Sequence, residues 1–321
     1  MEQIPRFPIA HLPTPIEALP RLSEALGGPQ LLVKRDDQTG LAFGGNKTRK
    51  LEYLVGEALA QGCNTLISAG AIQSNHCRQT AAAACKAGMD CILVLSGDEP
   101  DDPEANTFLD LLLGAELVWT AREEREDMLE QTFREAVKAG RKPYLVPYGG
   151  SSPIGAAAYA LAMRELVEQR VEPDWMVFPT SSGGTQAGLV AGKEIFDFPG
   201  KVLGISVDEP VDPFRQRVAE LATAAAKLLG YTVQIAEGDV LVNADYLGGG
   251  YAVMGVVEAE AIRLFARQEG LLLDPVYTGR AAAGLIDLIR KGFFSKDERV
   301  LFWHTGGTPG LLVEQYRQRL L

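Results

Sequence analysis

Glycine pairs set beside Ser, Thr, Asn and Lys are the first places in this 321-residue chain where residue types and spacing could do chemistry. In Thr180-Ser-Ser-Gly-Gly-Thr-Gln-Ala-Gly188 an apolar run, DWMVFP, hands over to a helical pattern. Unpaired N–H groups at a helix start, with the hydroxyls of Ser182 and Thr185 and the open backbone of Gly183 and Gly184, make a cup for a phosphate dianion. The same residues also suit a tight turn with a Ser/Thr N-cap, and this segment alone leaves both readings open. A second cup, Ser68-Ala-Gly-Ala-Ile-Gln-Ser-Asn-His76, repeats the order of strand, loop and helix. There Ser74, Asn75 and His76 could offer hydroxyl, amide and main-chain N–H groups to a carboxylate, or Ser74 could simply cap the helix. Gly44-Gly45-Asn46-Lys47-Thr48 looks like the end of a P-loop, but Asn46 separates Gly45 from Lys47 and no suitable strand precedes it. No G-x-G-x-x-G follows a strand either, so both nucleotide fingerprints are missing. A phosphate cup without them points to a small phosphorylated cofactor.

These loops need elements to hold them. From Asn64 onward short apolar runs (NTLISAG, CILVLSG, AELVWT, PYLVPYGG) alternate with helical stretches at about Ser74 to Ala87, Ala105 to Leu113 and Arg122 to Lys138. The rhythm restarts at Trp175 with DWMVFPT, KVLGISV and RVLFWHTGG. Strands separated by helices imply a parallel sheet covered on both faces, so the fold class is α/β with two units. The first 50 residues are extended and loop-rich and are expected to pack on the second unit. Residues 1–50 plus 161–321 are therefore assigned to a larger, cofactor-binding domain and 51–160 to a smaller one. Gly149-Gly150, Gly248-Gly249-Gly250 and Gly306-Gly307 join the clusters above, several of them at the carboxyl edge of a strand, where ligands of open α/β sheets bind.

Composition removes several classes of function. With 31 Lys and Arg against 42 Asp and Glu, the net charge is −11, and no basic stripe is present to release counterions from nucleic acid. No run of about 18 apolar residues offers a membrane span, and the Pro-rich start MEQIPRFPIAHLPTP resembles neither a signal peptide nor an anchor. The four cysteines, Cys63, Cys77, Cys85 and Cys91, form no CxxC pair and read as buried free thiols of a reducing cytoplasm. The three histidines lie at no metal-ligand spacing, so a zinc site is not expected. The charge-dense run AREEREDMLEQTFREAVKAGRK reads as a solvated helix face.

Five motifs in order, Phe43-Gly-Gly-Asn-Lys-Thr-Arg-Lys-Leu-Glu52, Ala71-Ile-Gln-Ser-Asn-His76, Ser182-Gly-Gly-Thr-Gln-Ala-Gly188, Asp274-Pro-Val-Tyr-Thr-Gly279 and His304-Thr-Gly-Gly307, carry a resemblance. Together they resemble fold-type II pyridoxal-phosphate enzymes of the D-cysteine desulfhydrase and 1-aminocyclopropane-1-carboxylate deaminase group, over nearly the whole chain. The resemblance implies a tryptophan synthase β-like fold, each domain an open, mostly parallel sheet flanked by helices. It implies pyridoxal 5'-phosphate as cofactor, carried by Lys47 as a Schiff base, with Ser182, Gly183, Gly184 and Thr185 on its phosphate and Asn75 on its ring hydroxyl. Ser74, Asn75 and His76 would receive the substrate carboxylate, Lys50 could face the site from the same helix, and Tyr251 and Tyr277 match active-site tyrosines of the group.

Thr278, after Tyr277, is expected near the pyridine nitrogen. The cyclopropane deaminases of the group carry a carboxylate there, Gln at the position of His76 and an aliphatic residue at that of Thr305. These three positions point to β-elimination from a small amino acid, with D-cysteine favoured and giving pyruvate, hydrogen sulfide and ammonia. The cyclopropane deaminase activity, or a lyase acting on L-cysteate, D-serine or chloroalanine, is the alternative. A non-catalytic small-molecule binding protein on the same scaffold is the reading from a different class. The resemblance also implies a homodimer. Ala252-Val-Met-Gly255 and Arg280 depart from the group's usual residues.

Overall fold

Alternating apolar runs and Ala-rich amphipathic stretches build two open sheets in the computed structural model, which describes residues 4–321. Met1 to Gln3, the start of the Pro-rich segment, lie outside the described residues. The chain opens with β1 (Ile16–Ala18), α1 (Pro20–Leu26), β2 (Gln30–Lys34) and α2 (Asn46–Ala60). It continues through β3 (Thr65–Ala71), α3 (Asn75–Ala87), β4 (Asp90–Ser96), α4 (Ala105–Leu112), β5 (Glu116–Thr120), α5 (Arg125–Lys138) and β6 (Pro143–Leu145). After α6 (Pro153–Glu168) come β7 (Trp175–Thr180), α7 (Gly184–Ile195), β8 (Lys201–Ser206), α8 (Val211–Leu228) and β9 (Leu241–Asn243). The chain ends with α9 (Val256–Glu269), α10 (Thr278–Arg290), β10 (Arg299–Trp303) and α11 (Glu314–Leu320).

The smaller sheet has the order β5-β4-β3-β6 and is parallel throughout. The larger has the order β1-β2-β10-β7-β8-β9 and is parallel except where β1 pairs antiparallel with β2. The extended N-terminal region thus joins the second unit by adding strands to its sheet. Central strands are apolar on both faces because both are covered. Along β7, Trp175 and Val177 enter one core while Met176 and Phe178 enter the other, the two-residue period of a strand. None of the helices among the described residues is long and apolar enough to cross a membrane.

The boundaries drawn at 50/51 and 160/161 fall inside α2 and α6, which run unbroken. Helix α6 packs closely on α7 from Ala156 to Met163: a Cβ at Gly188 would lie 2.2 Å from the Ala156 carbonyl oxygen, so only glycine permits this approach. The thiols are all free, but Cys85 is exposed and Cys63 half-buried, leaving Cys77 and Cys91 as the buried pair. Cys85 closes the last turn of α3, where the stripe facing the core has rotated away.

Candidate active site

The carboxyl ends of β3, β7 and β10 and the start of α2 converge on a cleft with about 730 Å³ of empty space. Its first wall follows β7. Gly183, at φ 88°, is the N-cap of α7 and supplies no side chain to cap it, so the Ser/Thr-cap reading of this turn is set aside. Ser182, Gly183 and Thr185 line the cleft. The Gly184 N–H instead donates to Ser151 Oγ (3.1 Å), which itself donates to Ser182 Oγ (2.8 Å). Thr185 Oγ1 accepts from Asn46 Nδ2 (3.0 Å), so the first residue of α2 reaches across to α7.

The second wall is the start of α3. Ser74 is its N-cap and accepts from the Cys77 N–H at 3.2 Å, while also lining the cleft. Asn75 Oδ1 accepts from Arg78 Nη1 (2.7 Å) and from Asn106 Nδ2 (3.0 Å). His76 lines the cleft, its Nε2 lying 2.9 Å from Ser68 Oγ. Burial, together with the charges of Lys47 and Lys50, holds its pKa well below the usual histidine value, so the ring is neutral.

Lys47 sits in the first turn of α2 and faces the cleft. Burial lowers its pKa to about 8, because the charged form loses its hydration. Lys50 is elsewhere. Three helical residues turn through about 300°, which leaves Lys50 only about 60° round the axis from Lys47 and one turn further along, where the Gly149 turn claims it. It is fully buried outside the cleft lining, its Nζ donating to the Gly149 carbonyl (3.1 Å) and lying 3.1 Å from where a Gly184 Cβ would stand. Burial and the Lys47 charge press its pKa well below the usual lysine value. The expected substrate-side Lys50 is thus a lysine behind the start of α7.

The third wall is Thr305-Gly306-Gly307, after β10. Gly306 has φ 91°, and a Cβ there would lie 2.6 Å from Gly45 Cα, so the loops before Lys47 and after β10 touch backbone to backbone. Tyr277 lines the cleft, whereas Tyr251 lines a neighbouring open hollow and reaches the site through its hydroxyl, 2.8 Å from that of Tyr277. Burial raises both phenol pKa values, so the pair stays protonated.

Thr278 does not take its expected place. It is fully buried outside the cleft lining; its hydroxyl donates to Asp274 Oδ1 (2.7 Å) and accepts from the Asp274 N–H (2.8 Å). The Asp274 carboxylate also gathers the N–H groups of Val276, Tyr277 and Thr278 at 2.7–2.9 Å, and this turn aims Tyr277. A hydroxyl with its one proton on a carboxylate is a helix-start fixture. Thr278→Val is therefore expected to cost about 1–3 kcal/mol of stability by leaving Asp274 short of a donor. Thermal melts check this, and the spectrum of any bound chromophore should not move.

Tyr148, Arg78 and Gln79 also line the cleft and carried no sequence signal. Tyr148 follows β6 and borders both cavities; only the adjoining Gly149-Gly150 marked its loop. Gln79 donates to the Gly44 carbonyl, tying α3 to the loop before Lys47.

A family model described as "Pyridoxal-phosphate dependent enzyme" matches residues 9–306. A D-cysteine desulfhydrase of Salmonella choleraesuis is 41% identical, covering 98% of this chain and 97% of its own. A Pyrococcus abyssi protein carrying the provisional name 1-aminocyclopropane-1-carboxylate deaminase is 42% identical over 97% of this chain and 94% of its own. A crystal structure of an ACC deaminase homologue superposes with a TM-score of 0.90 at 39% identity, covering 99% of this chain and 96% of that one.

Proposed function

The chain belongs to the pyridoxal-phosphate dependent enzymes, and from that premise we propose that it is a carbon–sulfur lyase on a small amino acid, with D-cysteine as the preferred substrate. The cleft fits the cofactor. The N-cap of α7 carries no side chain, and Lys50 brings a buried amine with no carboxylate partner among the described residues up to that turn. A phosphate there would meet the helix-start N–H groups beyond Gly184 and would favour the protonated form of that amine, a complementary seat. Ser182, Gly183 and Thr185 would complete it, Gly184 would shape its turn, Lys47 would carry the cofactor, and Asn75 would donate to its ring oxygen.

When bound, the cofactor supplies a sink for the electron pair left on the substrate α-carbon. Lys47 takes the α-proton, which an amine with a pKa of about 8 can do near neutral pH. Ser74 and the N–H groups at the start of α3, the positive end of that helix, hold the substrate carboxylate, with Asn75 and neutral His76 beside them. The Tyr277 hydroxyl, backed by that of Tyr251, handles a proton on the facing side. One D-cysteine and one water give pyruvate, ammonia and hydrogen sulfide.

The observation that carries the choice is the make-up of the cleft lining. Among the described residues it contains hydroxyls, amides, tyrosines and basic side chains, and no Asp or Glu. Thr305, on the cleft wall, would offer a bound ring a neutral hydroxyl and no carboxylate, which would leave a sink sufficient for a good leaving group at the β-carbon. Opening an unactivated cyclopropane asks for a carboxylate to keep the ring nitrogen protonated. With purified protein, pyruvate and sulfide are expected in equal amounts from D-cysteine. L-cysteine, D-serine, L-cysteate and 1-aminocyclopropane-1-carboxylate should each be roughly 100-fold poorer or worse in kcat/KM. A four-carbon keto acid formed from the cyclopropane substrate faster than pyruvate from D-cysteine would overturn this choice in favour of the deaminase reading. The unpaired cysteines suit a reducing cytoplasm, and a homodimer would cover the exposed Val253, Val256 and Val257.

A further inference from the structure

Arg78 is among the largest fully buried side chains, and among the described residues it makes no ion pair, unlike Arg49 and Arg280. Its Nη1 donates to Asn75 Oδ1 (2.7 Å) and to Asn106 Oδ1, its Nη2 to the Gly44 carbonyl (3.2 Å), and its Nε finds no partner. Burial pulls its pKa down to about 10, a guanidinium still charged at any working pH. The buried carboxyl of Asp110, one helical turn beyond Asn106, is pushed up to about 8 and bonds to nothing. It supplies little counter-charge near neutrality. Asp274 also acts on it through space, but neither carboxylate makes an ion pair with it among the described residues, and a buried cation so weakly compensated favours an anionic group entering the cleft that it lines.

The neighbouring amide has one possible orientation. Both donors that reach Asn75, Arg78 Nη1 and Asn106 Nδ2, fall on its Oδ1. Its NH₂ group is thereby left to the cleft, which Asn75 also lines. We propose that Arg78 is a positioning residue for the cofactor: with Asn106 it locks Asn75 as a donor toward the ring oxygen of pyridoxal phosphate, and its unpaired charge keeps that oxygen anionic. This rests on the family reading of the cleft and is independent of which amino acid is the substrate.

The test is spectroscopic and thermodynamic. Wild type, Arg78→Met and Arg78→Lys are stripped of cofactor, melted, and titrated with pyridoxal phosphate while absorbance is recorded. Arg78→Met is expected to bind roughly 10- to 100-fold more weakly, the worth of a charge-assisted hydrogen bond. The cofactor it does hold should move its absorbance from the visible toward the near ultraviolet, because the ring oxygen then keeps a proton. Arg78→Lys, which retains the charge without the fork, should lie between the two. A purely structural arginine would lower the melting temperature and the loaded fraction but leave the spectrum of bound cofactor as in wild type, and that result overturns the proposal. Should Arg78→Met not fold, Arg78→Lys decides alone, a wild-type spectrum at wild-type affinity again overturning it. Wild type without a visible band would instead sink the reading of the cleft, and this inference with it.

Discussion

Lys47→Ala is expected to lower keto-acid formation by roughly 10⁴-fold or more and to remove the visible absorbance of the loaded protein. No other group in the cleft can replace it: Lys50, the nearest amine in sequence, is held on the Gly149 carbonyl behind the start of α7. The fold should survive the change, because burial penalises the Lys47 charge and no partner pays it back. The melting temperature of the cofactor-free variant should equal or exceed that of wild type. Undiminished turnover by Lys47→Ala would refute the assignment. The pH dependence has a definite sign. With a pKa of about 8, the reactive neutral amine falls tenfold for each pH unit below that value, so cofactor loading should slow in proportion on the acid side. Above pH 8 it should level off. Stopped-flow loading of cofactor-free protein from pH 6 to 9 measures this.

Arg49→Met is expected to destabilise the fold by about 3–5 kcal/mol, the cost of stranding a buried charge. Arg49, two residues beyond Lys47, forks onto Asp36 at 2.8 and 2.9 Å and reaches Glu165 on α6 with two more bonds at 2.9 Å. Lys34 completes the cluster on Glu165 (2.6 Å), and Tyr159 and Thr14 donate to Asp36. Two cations and two carboxylates thus balance in the interior and clamp α2 to the end of β2 and to α6. Burial by itself would raise the Asp36 pKa, but the Arg49 charge and hydrogen bonds outweigh it and hold the carboxyl below its usual value. A depressed acid contributes stability that is full above the unfolded pKa of about 4 and is lost as pH falls through the lower folded value. Wild type should therefore lose stability below about pH 4, and Arg49→Met should show a smaller acid-side slope. Denaturant melts across pH 3 to 7 check both. A loss under 1 kcal/mol would mean that α2 is held by apolar packing alone.

The fold was legible in sequence wherever a strand met a glycine-marked helix start. Residues Ser74 to Ala87 read as a helix and form α3 from Asn75; DWMVFPT reads as a strand and is β7. Local physics is enough there, since period, N-cap and glycine act within a few residues. The candidate site was partly legible: Lys47, Ser74, Asn75, His76, Ser182, Gly183, Thr185, Tyr277 and Thr305 all line one cleft. Lys50 and Thr278 lie outside its lining, because where a polar side chain ends depends on which partner claims it. The Gly149 carbonyl takes the Lys50 amine, and Asp274 takes the Thr278 hydroxyl.

Sequence alone determined the α/β alternation, the glycine-bearing loops and the family, because each depends on residue order at short range or on motifs in series. Tertiary structure alone decided that Arg78 stands behind Asn75 with no ion pair among the described residues, that the Tyr251 hydroxyl lies against that of Tyr277, and that α6 packs on α7. Charge compensation and amide orientation are set by groups brought together from distant parts of the chain, such as Asn106 on Asn75 and Glu165 on Arg49. No local pattern encodes which of those meetings will occur, since their energies exist only once both partners have left water.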